Sequence, residues 1–179
     1  MKYSIALILV LSATASHAEI DWSSVLQGEH RAAENSARDI YRHPKQTLEF
    51  FGLTENMTVV ELSPGSSGWY TEVLAPVLKG EGRLVAAHSA LNPPHPYYRR
   101  SLGKYLTKLG ENNDIFGAVE IRQWQPPLIL DNVDGASADM VLTFRNVHNW
   151  MEAGTADAIL QASFAALKSG GVFGVVEHR

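Results

Sequence analysis

Cysteine is absent from the 179 residues. The fold must therefore hold without disulfides, and a thiolate metal site and a cysteine nucleophile are both excluded. Long apolar runs are scarce as well. The longest lies in the opening MKYSIALILVLSATASHA, where an apolar core from Ile5 to Leu11 follows Lys2 and leads to the small residues Ser16 and Ala18 around His17. That run is too short to span a bilayer, which takes about 20 residues, and its layout is that of a secretory leader cleaved after Ala18. No stable membrane span is expected after cleavage, and the expected location is the bacterial periplasm or beyond. An excess of positive charge is lacking too: 15 basic residues face 19 acidic ones, and no basic stripe carries interleaved aromatics, so nucleic acid is not an expected partner.

What remains after residue 18 is enough for one domain with a real core. From Trp22 to Phe51 the pattern is helical, with a break near His43 before Pro44 and a second short helix closed by Gly52. Arg31, Asn35, Arg38 and Arg42 fall on one face of it, either a solvated face or a lid over a pocket. Residues 19–52 thus form an N-terminal helical segment, and 53–179 the main domain.

In that domain short β-branched runs alternate with helical ones. Strands are expected at Thr58–Leu62, Arg83–Ala87, Ala118–Gln123, Ala138–Phe144 and Val172–Val176. Helices are expected at Trp69–Leu78, across RRSLGKYLTKLG, and from a Thr155 cap to Lys168 with Ile159, Leu160, Phe164 and Leu167 on the buried face. Pro126-Pro127 and Asp134-Gly135 mark a long connection between. Such alternation predicts an α/β, Rossmann-like, doubly wound and mainly parallel sheet. Ending at a fifth strand leaves an open edge, so a sheet truncated there is expected.

The stretch VVELSPGSSGWYTEVL, residues 59–74, joins the first strand to the first helix through small residues. Ser63, Gly65, Ser66, Ser67 and Gly68 allow close approach of backbone to a ligand, and the helix start offers free N–H groups. A dinucleotide would want G-x-G-x-x-G and an acid at the end of the second strand; here the glycine spacing differs and His88 stands there.

VVELSPGSSGWYTEVLA resembles the glycine-rich first motif of class I S-adenosylmethionine-dependent methyltransferases. SADMVLTFRNVHNWM and LKSGGVFGVVEHR resemble the fourth-strand motif and the helix-turn-strand after it. With the leader and ARDIYRHPKQTLEFFG, the whole is similar to a group of exported bacterial proteins regarded as methyltransferases. The resemblance implies S-adenosyl-L-methionine as cofactor and an unnamed small-molecule methyl acceptor. It also implies Glu61, Ser63, Gly65, Ser67 and Gly68 at the cofactor's amino-acid end, His88 in place of the ribose-binding acid, and Gln123 and Trp124 at the adenine edge. Ser63 replaces a glycine of the family pattern, and Gly68 comes one residue late.

His148 follows the fourth strand and is the candidate base, since imidazole ordinarily titrates near neutrality; otherwise it bonds loop backbone. Asn146 and Arg145 open the same loop and either bind cofactor carboxylate, orient substrate or satisfy backbone groups. Trp150 either offers an aromatic face or packs in the core. His88, His148 and His178 all fall near strand ends, but no short ligand spacing links them and no metal site is expected. Serine at 63 and histidine at 88 keep a second reading open: a catalytically silent, methyltransferase-like module that binds a ligand or a protein.

Overall fold

The computed structural model describes residues 19–93, 95–124 and 136–178. The expected leader, residues 1–18, and most of the long connection, including Pro126-Pro127 and Asp134-Gly135, lie outside them.

Five strands form one parallel sheet: β1 (Thr58–Leu62), β2 (Arg83–Ser89), β3 (Glu120–Trp124), β4 (Ala138–Phe144) and β5 (Leu167–Val176). Their spatial order is β3-β2-β1-β4-β5, so β1 pairs with β2 on one side and β4 on the other. Strand order reverses between β1 and β4, and the carboxyl ends of those strands are where a doubly wound sheet leaves a crevice. The central strands are continuous apolar runs because both their faces are covered. Val59, Leu84, Met140 and Leu142 face one core cluster; Val60, Leu62, Val85 and Val141 face the other.

The N-terminal segment is not two helices but four short ones: α1 (Trp22–Gln27), α2 (Ala33–Ser36), α3 (Asp39–Arg42) and α4 (Pro44–Phe50). Asp21 caps α1 by accepting from the Ser24 N–H at 3.1 Å. The break before Pro44 falls at His43, which takes a left-handed conformation with φ 45°. Arg31 and Asn35 are buried, so the expected stripe is not a solvated face. Fracture into short helices lets the chain follow α5 and the turn before it and dock those two residues.

The main helices are α5 (Thr71–Leu78), α6 (Pro96–Glu111), α7 (Asn113–Phe116), α8 (Val147–Glu152) and α9 (Ala156–Ala166). The α5 helix begins two residues later than expected, because residues 65–70 form turns. The α6 helix begins earlier, at Pro96, with the His95 Nδ1 accepting from the Tyr97 N–H.

At α9 the expected buried face is out of phase. Ile159, Ala162, Ser163 and Ala166 meet the sheet, whereas Leu160 is 46% and Phe164 82% exposed. The spacing of three and four is kept, but small residues form the contact, allowing close approach. Leu167 and Lys168 already belong to β5, which carries the Ser169-Gly170-Gly171 turn as a bulge between the pairs Ala138 with Leu167 and Met140 with Val172. Among the described residues β5 pairs only with β4, so the sheet is open.

Glu72, on α5, is the buried charge that fastens the N-terminal segment. Its carboxylate accepts from the Arg31 Nε at 3.4 Å and from the Ala32 N–H at 3.2 Å, and pairs with Lys108 of α6. The Glu72 carbonyl also bonds the His30 Nε2 at 2.9 Å. Removing one member of a buried ionic cluster strands the others, at about 3–5 kcal/mol. Glu72→Ala should therefore lower unfolding free energy in urea by about that amount; a loss below about 1 kcal/mol, the surface-pair range, would show that the cluster does not hold the segment down.

Candidate functional site

Between β1 and α5 the backbone turns through Ser63, Gly65 and Gly68, all at positive φ (53°, 74° and 54°). The two glycines serve different ends. A Cβ at Gly68 would come within 2.8 Å of the Tyr105 ring, so this glycine lets α6 close on the turn. A Cβ at Gly65 would meet nothing within 4 Å, and Gly65 faces a cavity. Ser63 adopts a conformation that L-residues with a Cβ disfavour, and its N–H continues the β1–β2 pairing by donating to the Ala87 carbonyl at 2.9 Å.

The cavity, about 710 Å³, opens at the carboxyl ends of β1, β2, β3 and β4. Ser63 and Gly65 form its floor, with His88 and Ser89 at the end of β2, Trp124 at the end of β3, and Asn146 after β4. Tyr97, Tyr98 and Trp150 add aromatic faces. Among the described residues its wall has no lysine or arginine, and Glu152 is its one carboxylate.

His88 is a strap. The Ser89 N–H donates to its Nδ1 at 2.8 Å, which leaves the proton on Nε2, and Nε2 donates to the Gly65 carbonyl at 3.2 Å. Burial lowers its pKa, with the Gly65 bond opposing, so the ring is held neutral. Nε2 thus ties the turn to β2 while Nδ1 is occupied within β2, and neither nitrogen is left over for a ribose hydroxyl. Asn146 works similarly, its amide donating to the Leu62 carbonyl at 3.3 Å and the Thr143 hydroxyl at 3.1 Å.

Several expected contacts fall away from the cavity. Gln123 and Trp124 are adjacent strand residues and so point to opposite faces; Trp124 is in the wall while Gln123 is exposed. Ser67 is exposed, and its carbonyl accepts from the Asn35 amide at 3.4 Å. Gly68 is buried against Tyr105. Glu61 is buried beneath the turn, where its carboxyl accepts from the Thr71 hydroxyl at 2.6 Å.

Arg145 and His148 are exposed and stand beside the cavity, at the tips of β4 and β5. Here Glu177 joins them, a residue the sequence reading passed over. Its carboxylate accepts from the Val147 N–H at 2.8 Å and bonds the His148 Nδ1 at 2.9 Å, which orients the ring. Burial raises the Glu177 pKa, but hydrogen bonds from His178, His148 and Val147 outweigh it and hold the carboxyl below its ordinary range. Pairing of Phe144 with Val176 is what brings position 177 beside 145, so the signal lay in strand register. Ligand atoms of His148, Glu177 and His178 lie within 4.8 Å of one another. The Arg145 Nε, however, donates to the His178 Nε2 at 3.0 Å and uses the lone pair that a cation would need.

No family model and no curated protein matches the chain. Solved structures do. The chain is similar to an S-adenosylmethionine-dependent methyltransferase from Aquifex aeolicus at 19% identity and TM-score 0.56, covering 84% of this chain and 69% of that one. It is similar to the [4+2]-cyclase SpnF at 13% identity and TM-score 0.58, over 83% of this chain and 48% of that one. For the arsenic(III) S-adenosylmethionine methyltransferase of Chlamydomonas reinhardtii the identity is 20%, the TM-score 0.51, and the coverage 66% and 38%. The chain thus spans less than half of the last two. At these identities the likeness is one of fold, the Rossmann-like fold those proteins share.

Burial pushes the Glu61 carboxyl up to about 7, with the Thr71 bond opposing. The folded protein holds this proton more tightly than the unfolded chain, so stability falls as pH rises from the ordinary carboxylate range through about 7, by on the order of 3 kcal/mol. Glu61→Gln lacks that slope. Its melting temperature should gain on the parent's between pH 5 and pH 8 and match it most closely at the acid end; parallel pH profiles would show that Glu61 stays ionised in the fold.

Proposed function

We propose that this domain binds S-adenosyl-L-methionine and transfers its methyl group to a small molecule. The observation that carries the reading is the cavity at the strand tips: its floor is the small-residue turn, its wall is aromatic and polar, and the described wall lacks cations. A sulfonium nucleoside is itself a cation, so a wall of aromatic faces with one carboxylate suits it, whereas the pyrophosphate of a dinucleotide would find no basic side chain there. The open space at Gly65 is where backbone can approach the methionine end. Ser63, Gly65, Trp124 and Asn146 are the residues that would hold the cofactor. Ser89 would serve the ribose side rather than His88: its hydroxyl donates to the Tyr98 carbonyl at 3.2 Å but keeps a lone pair to accept with, whereas both His88 nitrogens are engaged. Fold similarity to S-adenosylmethionine-dependent methyltransferases supports the same assignment.

When bound, the cofactor supplies an electrophilic methyl carbon. Held by Ser63, Gly65, Trp124 and Asn146, it would offer that carbon to the acceptor's lone pair, and the departing electron pair would stay with the cofactor's sulfur. Where the acceptor loses a proton, the His148 Nε2 takes it, because the Nδ1 proton is committed to Glu177. Asn146 fixes the start of this loop on β1, and His148 stands two residues on, beside the cavity. The engaged His88 favours a second reading, a silent ligand-binding module, and the two part on whether methyl transfer follows binding. The expected leader at residues 1–18 would place the protein in the periplasm with the exported bacterial methyltransferase group.

Calorimetric titration of the purified chain with S-adenosylhomocysteine tests the site. Micromolar binding is expected, with Gly65→Arg weakening it at least about tenfold by filling the cavity. An equally tight Gly65→Arg variant would remove this site from consideration.

A further inference from the structure

The described arginines differ in their partners: Arg99 bonds the Asn92 Oδ1 at 3.0 Å, and Arg100 stands exposed on α6. Arg31 is paired with Asp39 and Glu72, and Arg83 and Arg122 with Glu120. Arg38, Arg42 and Arg145 have no carboxylate partner among the described residues, and all three belong to the region where the N-terminal segment meets the tip of β4. The carboxylates nearby are already used. Asp39 has both oxygens on Arg31, at 2.7 and 3.0 Å, and Glu177 serves His148 and the Val147 N–H.

Arg42 is the centre of this set. Its guanidinium lies 4.5 Å from the centroid of the Trp69 ring, with that of Arg31 at 5.2 Å from the same centroid. Trp69 contacts Tyr70, and Tyr70 stacks on Phe144 with ring centroids 3.4 Å apart. This aromatic column runs from Arg42 to the residue before Arg145. The Arg42 Nε is buried and has no hydrogen-bond partner among the described residues. Burial, then the charges of Arg38 and Arg145, lower the Arg42 pKa, while Tyr70 and Asp39 oppose that change. Arg145 itself is held at φ 63°, with its N–H on the Val176 carbonyl at 2.7 Å and its side chain on His178. Like charges so gathered, one with an unsatisfied buried donor, lack the anion that would complete them.

We propose that Arg38, Arg42 and Arg145 receive a carboxylate or phosphate carried by the small molecule that accepts the methyl group. The proposal rests on the methyltransferase reading and names the acceptor's chemical class. None of the three lines the cavity, so the anion is assigned to the acceptor and not to the cofactor's own carboxylate. Glu177 and His148 lie beside Arg145, which places the acceptor's anionic end next to the base.

Inorganic phosphate and succinate are the probes, each titrated calorimetrically into the parent, Arg38→Gln, Arg42→Gln and, as a control on α6, Arg100→Gln. The parent and the control should bind at least one probe, and the other two variants should bind it at least about tenfold more weakly. Preference for phosphate or for succinate identifies the anion. Arg38 is exposed, so Arg38→Gln keeps the test open even if Arg42→Gln melts early. Absence of binding to either probe by the parent, or undiminished binding by Arg38→Gln and Arg42→Gln, overturns the proposal. S-adenosylhomocysteine is titrated into the same four proteins. If its affinity falls in step with that of phosphate, the anion site belongs to the cofactor and the proposal is overturned; if the parent binds phosphate as expected but not S-adenosylhomocysteine, the cofactor reading fails and the arginine site stands.

Discussion

A backbone reversal of eight residues between β1 and α5, three of them at positive φ, is the constraint around which this molecule is arranged. Small residues make such a path accessible but do not hold it, because glycine and serine are as free in the unfolded chain as anywhere. The holding comes from outside the turn. His88 donates to the Gly65 carbonyl from β2, Asn35 donates to the Ser67 carbonyl from the N-terminal segment, and the Tyr105 ring closes on Gly68 from α6. Three elements distant in sequence thus fix one floor.

The N-terminal segment acquires its purpose from the same constraint. It meets the turn where the Trp69 indole N–H donates to the Asn35 carbonyl at 2.8 Å, and it is anchored by Arg31 on the buried Glu72. A lid over the cavity would present residues to the cavity wall, and this segment presents none there. Its surplus charge, on Arg38 and Arg42, is displayed toward the β4 tip.

Strand positions in the interior were legible because a doubly covered parallel strand must be apolar on both faces. The bounds of β1 and β4 follow from TVVEL and ADMVLTF alone. Where one helix face had to be chosen, composition misled: Phe164 and Leu160 are the larger apolar residues of α9, yet Ala162, Ser163 and Ala166 pack. At the site, Gly65, Trp124 and Asn146 were readable from their places at strand ends. Glu177, and the engagement of both His88 nitrogens, depended on register and tertiary hydrogen bonds that no local pattern encodes. The nearness of His148 to His178 arose in the same way, through pairing of β4 with β5 rather than through ligand spacing in the chain.

Charge is distributed unevenly across the strand tips, and the division suits the proposed chemistry. The cavity's described wall holds one carboxylate and no cation, whereas the guanidiniums of Arg38, Arg42 and Arg145 stand outside that wall and have no carboxylate paired with them among the described residues. A cationic cofactor among the guanidiniums would be repelled, and an anionic acceptor in the cavity would find no positive side chain. In the proposed reaction each partner would be directed to its own place by like-charge exclusion as much as by attraction. In the proposed transfer the sulfonium would lose its positive charge and the acceptor would become less negative or shed a proton, so attraction between the two would not last through the reaction. Fixed charges on separate elements, held by the same turn, keep the two sides oriented without relying on that attraction.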